Sequence, residues 1–309
     1  MDICKDKNFI DLKNYLHINE KKGEIKSIID SKDNIWIKDI ELSSGTTGRV
    51  VVFKSQYEEN SDLVIKYFYD SENSQQDMEH EVSIIKTLNK SKCSNLINIG
   101  YLDISKAERV VVMEKLDGDL LDFDFSVFSK PLKLYKDLIE FLTSASLCVY
   151  KTGKLYLDLK LENIGFKICP TKIKFTFLDF GSFFDIDEES VVSTYIINQD
   201  KFQKGYFTNE VIFVYGFIMT LLNVRLFIKS KKLSQKFIDY HVSKISNEKK
   251  YKSDLLSESN YHRIKKKFYS YLDTKERFVN FLFSQLERLT RQEPDVREFL
   301  KEVSNHNNY

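Results

Sequence analysis

The chain of 309 residues is 42% hydrophobic, 14% aromatic and 30% charged, a composition that excludes disorder along its whole length. Lys and Arg number 47 against 46 Asp and Glu, a net charge of +1. That balance removes the simplest electrostatic argument for a nucleic-acid or acidic-membrane partner and leaves only local patches open.

The length fits one large domain or two lobes. Cys4, Cys93, Cys148 and Cys169 are scattered, with no C-x-x-C pair, so neither a zinc site nor a disulfide framework is expected. The first residues carry charges throughout and lack the apolar core of a signal peptide. The most apolar run, VIFVYGFIMTLL over Val211–Leu222, is short for a bilayer and reads as a buried helix. The expectation is a cytoplasmic chain with no transmembrane segment.

In chain order, residues 8–30 show helical spacing at Phe9, Leu12, Leu16, Ile25, Ile28 and Ile29, broken near Gly23. Residues 1–36 are therefore predicted to be an N-terminal helical extension. Alternating apolar residues predict strands over Asn34–Leu42, Arg49–Lys54 and Asp62–Tyr69. A polar turn, SENSQQ, precedes a helix predicted from Asp77 to about Asn89, and strands follow at Ile97–Asp103 and Arg109–Glu114. After Asp117–Gly118, the spacing of Leu134, Leu138, Phe141, Leu142, Ala145 and Val149 predicts an amphipathic helix over Leu132–Lys151, ended by Gly153. A hairpin is predicted at Ile164–Ile168 and Lys172–Leu178, and helices from about Thr208 to Val303, before a polar tail.

Four short motifs carry chemistry. Leu42-Ser43-Ser44-Gly45-Thr46-Thr47-Gly48-Arg49-Val50 lies between two predicted strands, where glycines let backbone N–H groups approach phosphate oxygens. By itself a plain hairpin turn with its glycines explains it better. Eighteen residues after Gly48 stands Lys66, a cation in the apolar strand LVIK. Glu81 on the following helix could hold it extended by a charge-assisted bond, with Glu79 the competing choice on another helical face. The most specific motif is Tyr156-Leu157-Asp158-Leu159-Lys160-Leu161-Glu162-Asn163, followed after the hairpin by Asp179-Phe180-Gly181.

In order and in the kind of element that bears each, this set resembles the protein kinase family over roughly Asp39 to Val303. The resemblance implies an α+β, bilobal protein-kinase-like fold. Residues 37–117 would form an N-lobe with an antiparallel sheet and one main helix, and residues 118–304 a mostly helical C-lobe, before a polar tail at 305–309. It implies ATP and Mg²⁺ as cofactors. Gly45 and Gly48 would cover the phosphates, Val50 would pack on adenine, and Lys66, held by Glu81, would bind the α- and β-phosphates. Met113 would be the gatekeeper, with Glu114 to Leu116 offering backbone groups to adenine. Asp158 would orient the acceptor hydroxyl and take its proton, Lys160 would contact the transferred phosphate, and Asn163 and Asp179 would hold the metal. D-L-K-x-x-N resembles the Ser/Thr branch. Glu293-Pro294-Asp295-Val296-Arg297 resembles the stretch before the family's last helix.

The departures are specific. Ser43 stands for the first loop glycine, Val64 for an alanine above adenine, Gly165 for a larger floor residue, and Tyr156 for histidine. Leu157 stands for the arginine that reads a phosphorylated loop, so activity is not expected to depend on phosphorylation at Ser182, Ser190, Ser193, Thr194 or Tyr195. No A-P-E follows the D-F-G, Glu210 being the nearest acid to its place, and the aspartate that usually opens the central helix is missing near Val211. These changes touch peptide docking more than nucleotide chemistry. The expected activity is transfer of phosphate to Ser/Thr hydroxyls of a protein substrate. Two alternatives stand beside it: a pseudokinase acting as an interaction module, and a small-molecule phosphotransferase. The divergence from the family, the short segment after D-F-G and the Lys-, Asn- and Ile-rich composition together suggest a virus or intracellular pathogen, which would place substrate and enzyme in a host cytoplasm.

Overall fold

The computed structural model describes residues 17–21, 24–29, 33–44, 48–57, 62–69, 71–91, 93, 99–103, 110–188, 208–247, 257–272 and 276–307. Two units divide the chain. One runs to Asp117 and includes Phe166–Gly181; the other comprises Gly118–Gly165 and the residues from Ser182 onward. The architecture is α+β, strands dominating the first unit and helices the second.

The first unit is built on a seven-stranded antiparallel sheet. Its strands are β1 (His17–Lys21), β2 (Glu24–Ile29), β3 (Ile35–Ser44), β4 (Gly48–Ser55), β5 (Asp62–Phe68), β6 (Ile99–Asp103) and β7 (Val110–Glu114), in the order β1-β2-β3-β4-β5-β7-β6. Directly opposed residues of an antiparallel pair share a face. Ile28, Trp36, Val51, Phe53, Leu63, Ile65, Val110 and Val112 form one buried cluster, with Tyr67 packed on it. Ile28 and Val112 lie on strands with three others between them in the sheet order, so the sheet must curl to bring them into one core.

This corrects the reading of residues 1–36 as a helical extension. Where they are described, they are the strands β1 and β2, paired through Lys21↔Glu24 and Ile18↔Ile28; residues 1–16 lie outside the described residues. Gly23, read as a break in a helix, falls between the two strands. The spacing of Ile25, Ile28 and Ile29 is compatible with a helix, but burying Ile28 completely against Trp36 is available only to a strand extending the sheet.

Helix α1 (Glu72–Lys90) begins five residues before the predicted start. The SENSQQ run is its cap and first turn: Ser71 Oγ accepts from Ser74 N at 3.2 Å. Met78, Glu81, Val82, Ile85 and Leu88 form its buried stripe. The hairpin of β10 (Ile164–Ile168) and β11 (Ile173–Phe177) matches the sequence reading, with Cys169 N donating to Lys172 O at 2.9 Å.

The second unit is organised around α3 (Asn209–Lys229), 21 residues long and nearly all buried. It is the one described helix long and apolar enough to cross a membrane by length and composition, and its most apolar window is 89% buried in protein. The buried-helix reading is the one its surroundings support. Around it stand α2 (Pro131–Tyr150), α4 (Lys231–Asn247), α5 (Glu258–Tyr269), α6 (Arg277–Leu289) and α7 (Val296–Asn307). Tyr135 on α2 donates to Leu221 O at 2.9 Å, and Phe217 meets Phe299 of α7 edge-on at 5.5 Å. Gly153 ends α2 at φ +80, the left-handed conformation that a glycine adopts without steric cost. Strands β9 (Lys154–Tyr156) and β12 (Phe183–Asp185) pair antiparallel beside it, and β8 is the short Gly118–Asp119.

Cys93, Cys148 and Cys169 are disulfide-bonded. That corrects the expectation of no disulfides, which rested on spacing; spacing alone does not say which cysteines a fold brings together.

Candidate functional site

In the first unit, β5 carries Lys66 opposite Val50 of β4, and Val64 opposite Met113 of β7. Val50, Val64, Met113 and Lys66 therefore share one sheet face, an apolar platform that ends in a cation. Glu114 closes β7 in register with Leu63, and Leu116 follows the strand, partly exposed. Gly45 lies outside the described residues.

Lys66 Nζ donates to Glu81 Oε1, in a pair whose side chains are 16% and 5% exposed. Glu79, the competing residue, is exposed and accepts from Gln75 instead. The helix decides this: Glu81 shares the buried stripe with Met78, Val82 and Ile85, and Glu79 does not. Lys66 also stands 4.0 Å from Asp179 Oδ1 and 5.0 Å from the centroid of the Phe68 ring. Asp179 has φ +55, a left-handed conformation uncommon outside glycine and best tolerated by Asn and Asp. Gly181 packs against both acids: a Cβ there would lie 3.4 Å from Asp179 Oδ1 and 3.4 Å from Glu81 Oε1.

Burial pushes the Glu81 carboxyl above its ordinary value of 4.5, against the attraction of Lys66, and Asp179 and Asp77 push the same way. The folded chain thus holds this proton more tightly than the unfolded chain does. The stability this contributes is fully present below the ordinary value and is lost as pH rises through the raised one. The stability of the native protein relative to Glu81→Gln should therefore fall as pH is raised from 4.5 upward, read from urea midpoints. A relative gain over that range would mean that the Lys66 pair outweighs burial.

Gly48 meets a demand of its own. It pairs with Phe68, and a Cβ would lie 2.3 Å from Tyr67 O, inside contact distance of a backbone that cannot swing away. Gly48→Ala should cost about 1–3 kcal/mol, seen as a lowered melting temperature; an unchanged one would mean that β4 and β5 part freely.

In the second unit, Asp158, Lys160 and Asn163 form a separate polar cluster. Its loop is pinned by buried apolar side chains at Tyr156, Leu157, Leu159 and Leu161, the Tyr156 ring lying 4.5 Å from that of Phe183. Lys160 Nζ stands 2.8 Å from Asp158 Oδ2, and Asn163 Nδ2 donates to Asp158 O at 2.9 Å and Oδ2 at 3.1 Å. Both Asn163 bonds use the amide nitrogen, so the amide oxygen is the atom available to a hard cation. Leu157 is fully buried, and its N–H donates to Ser182 O at 3.0 Å. Ser182, named among the phosphorylatable hydroxyls, is itself only 4% exposed; Ser190, Ser193, Thr194 and Tyr195 lie outside the described residues.

Two positioning residues carried no sequence signal. Thr220, inside the most apolar stretch of α3, donates its hydroxyl to Leu159 O at 2.7 Å, between Asp158 and Lys160. Thr220→Val should cost about 1–2 kcal/mol by leaving that carbonyl unsatisfied, with Thr220→Ser close to native in urea unfolding; equal losses in both would point to packing instead. Asp117 ties the chain leaving β7 to β10: its N–H donates to Phe166 O at 3.0 Å, and its Oδ2 accepts from Ile168 N at 2.6 Å.

Each unit offers one oxygen donor of note: the Asp179 carboxylate, 45% exposed, in the first, and the Asn163 amide oxygen in the second. Mg²⁺ takes oxygen ligands, commonly one or two carboxylates with water and substrate phosphate. Among the described residues no three or more His, Cys, Asp and Glu converge. No protein-family model matches the sequence, and no curated protein matches it.

Proposed function

We propose that this chain is an ATP- and Mg²⁺-dependent phosphotransferase acting on Ser/Thr hydroxyls of proteins, and that its two units are the lobes of a protein-kinase-like fold. The observation that carries the reading is the Lys66–Glu81–Asp179 constellation. Three separate segments supply it: a lysine on a strand, a glutamate on the buried face of a helix, and an aspartate held at positive φ. Structural ion pairs are common, but a half-buried lysine between two acids next to an apolar platform suits a polyphosphate with a flat ring attached.

In this reading the platform of Val50, Val64 and Met113 takes the adenine, and Lys66 neutralises the phosphates. Glu81 keeps Lys66 extended. Asp179 and Asn163 would hold Mg²⁺, which when bound supplies charge neutralisation of the phosphates. Asp158 accepts the proton of the acceptor hydroxyl, and Lys160, already beside it, meets the transferred phosphate. Little covalent work is asked of the protein; positioning and charge do most of it.

The test is incubation of the purified full chain with γ-labelled ATP, Mg²⁺ and a panel of protein substrates and small hydroxyl compounds. Label on serine or threonine of a protein supports the reading. Label only on a small molecule makes the chain a small-molecule phosphotransferase, and ATP binding with no transfer makes it a pseudokinase; either overturns the proposal.

A further inference from the structure

Residues 229–271 carry twelve Lys and Arg against four Asp and Glu, a local charge of +8 in a chain whose net charge is +1. Eleven of the twelve cations are lysines. The fold gathers the described members of this run. Phe237 of α4 meets Phe268 of α5 edge-on at 5.5 Å and seals the seam between the two helices. Beside that seam, Lys267 lies 5.2 Å from the Tyr240 ring and 5.0 Å from the Tyr271 ring, and Lys229 donates to Tyr271 O at 3.0 Å. Lys232, Lys236 and Tyr240 follow one another at four-residue spacing along α4, so both lysines continue the same face. Lys229, Lys232, Lys236 and Lys266 are exposed.

Among the described residues Lys232, Lys236, Lys266 and Lys267 have no carboxylate partner, whereas Lys54, Lys66, Lys115, Lys154 and Lys160 each do. Gathering like charges costs self-repulsion, which an anionic partner would relieve.

We propose that this α4–α5 face docks an acidic polypeptide segment. Three observations select that partner among polyanions. Lys267 lies against both Tyr240 and Tyr271, covering rings that a single-stranded nucleic acid would use for stacking. Among the described residues none of the exposed large apolar ones, Ile37, Ile40, Leu42, Tyr57, Val127, Leu132 and Ile168, lies on this face, so its described part offers no apolar anchor of the kind a membrane-surface helix uses. The cations are point charges with a single arginine among them, short of the planar forks that favour bidentate phosphate recognition. A flexible run of Asp and Glu needs none of these features. The docking goes beyond phosphate transfer and stands whether or not the chain is a phosphotransferase.

The test is fluorescence anisotropy of the full chain with a labelled Glu-rich peptide of about fifteen residues at low salt. Binding is expected, and it should weaken as salt is raised, because the contact is exposed and screened. Lys232→Glu/Lys236→Glu/Lys266→Glu should weaken it by about tenfold or more, whereas Lys133→Glu/Lys136→Glu, on exposed positions of α2, should leave it unchanged. Circular dichroism checks the fold of each variant; should the triple variant not fold, Lys266→Gln must still give a smaller loss in the same direction. Peptide affinity that ignores these lysines overturns the proposal. So does tighter binding, through the same lysines, of a single-stranded oligonucleotide of equal length or of phosphatidylserine vesicles.

Discussion

Replacing Asp179 with asparagine should lower Mg²⁺-dependent ATP turnover by at least about a hundredfold, roughly 2.7 kcal/mol of barrier. The fold should stay close to native. Asparagine is the right probe because of the backbone: at φ +55 an Asn side chain is tolerated almost as well as Asp, whereas Ala would add about 1 kcal/mol of strain unrelated to the metal. The amide keeps one oxygen and loses the charge. Lys66, 4.0 Å away, then loses one of its two acidic neighbours but keeps Glu81. The measurement is initial rate against Mg²⁺ concentration, with urea unfolding alongside. Turnover unchanged in a folded variant would remove Asp179 from metal binding and leave its positive φ as a feature of the β11 exit alone.

Asp158→Asn is expected to lower transfer by about 10²- to 10⁴-fold, the usual worth of a positioned base, while ATP affinity changes little. The geometry separates the two effects. Asp158 is 6% exposed and meets Lys160 and Asn163 of its own loop, whereas Lys66 and Asp179 belong to the other unit. Its loss should therefore fall on kcat and not on nucleotide binding. Lys66→Met should show the reverse weighting, because it removes a cation from the phosphates. Equal loss of ATP binding in both variants would show that Asp158 acts by holding its loop together and not as a base.

The strands β3, β4 and β5 and the helix α2 were legible in the sequence because their apolar spacing is local and unambiguous, and α2 is closed by Gly153 where the pattern ends. The ends of elements were less so. The first turn of α1 was hidden by polar residues, because Ser, Asn and Gln serve both turns and helix caps. The residues of the candidate site were legible as types in order, Lys66, Asp158, Lys160, Asn163 and Asp179 each standing in a motif. What that order could not supply was their partners. Choosing Glu81 over Glu79 needed the buried face of α1, and Thr220 had no motif because a threonine in an apolar run looks like any other core residue.

By itself the sequence determined an α+β chain, a switch from strands to helices near Asp117, and the order in which Lys66, Glu81, Asp158, Lys160, Asn163 and Asp179 follow one another. Those properties are written in neighbouring residues, through periodicity, turn chemistry and motif spacing. Only the tertiary structure decided that His17–Lys21 and Glu24–Ile29 are strands, that Cys93, Cys148 and Cys169 are bonded, and that Asp179 sits at positive φ beside Lys66. Each of these depends on a contact between residues distant in the chain. Ile28 becomes a strand residue because Trp36 and Val112 offer it a core, and the Glu81 carboxyl is pushed up because the fold takes it out of water.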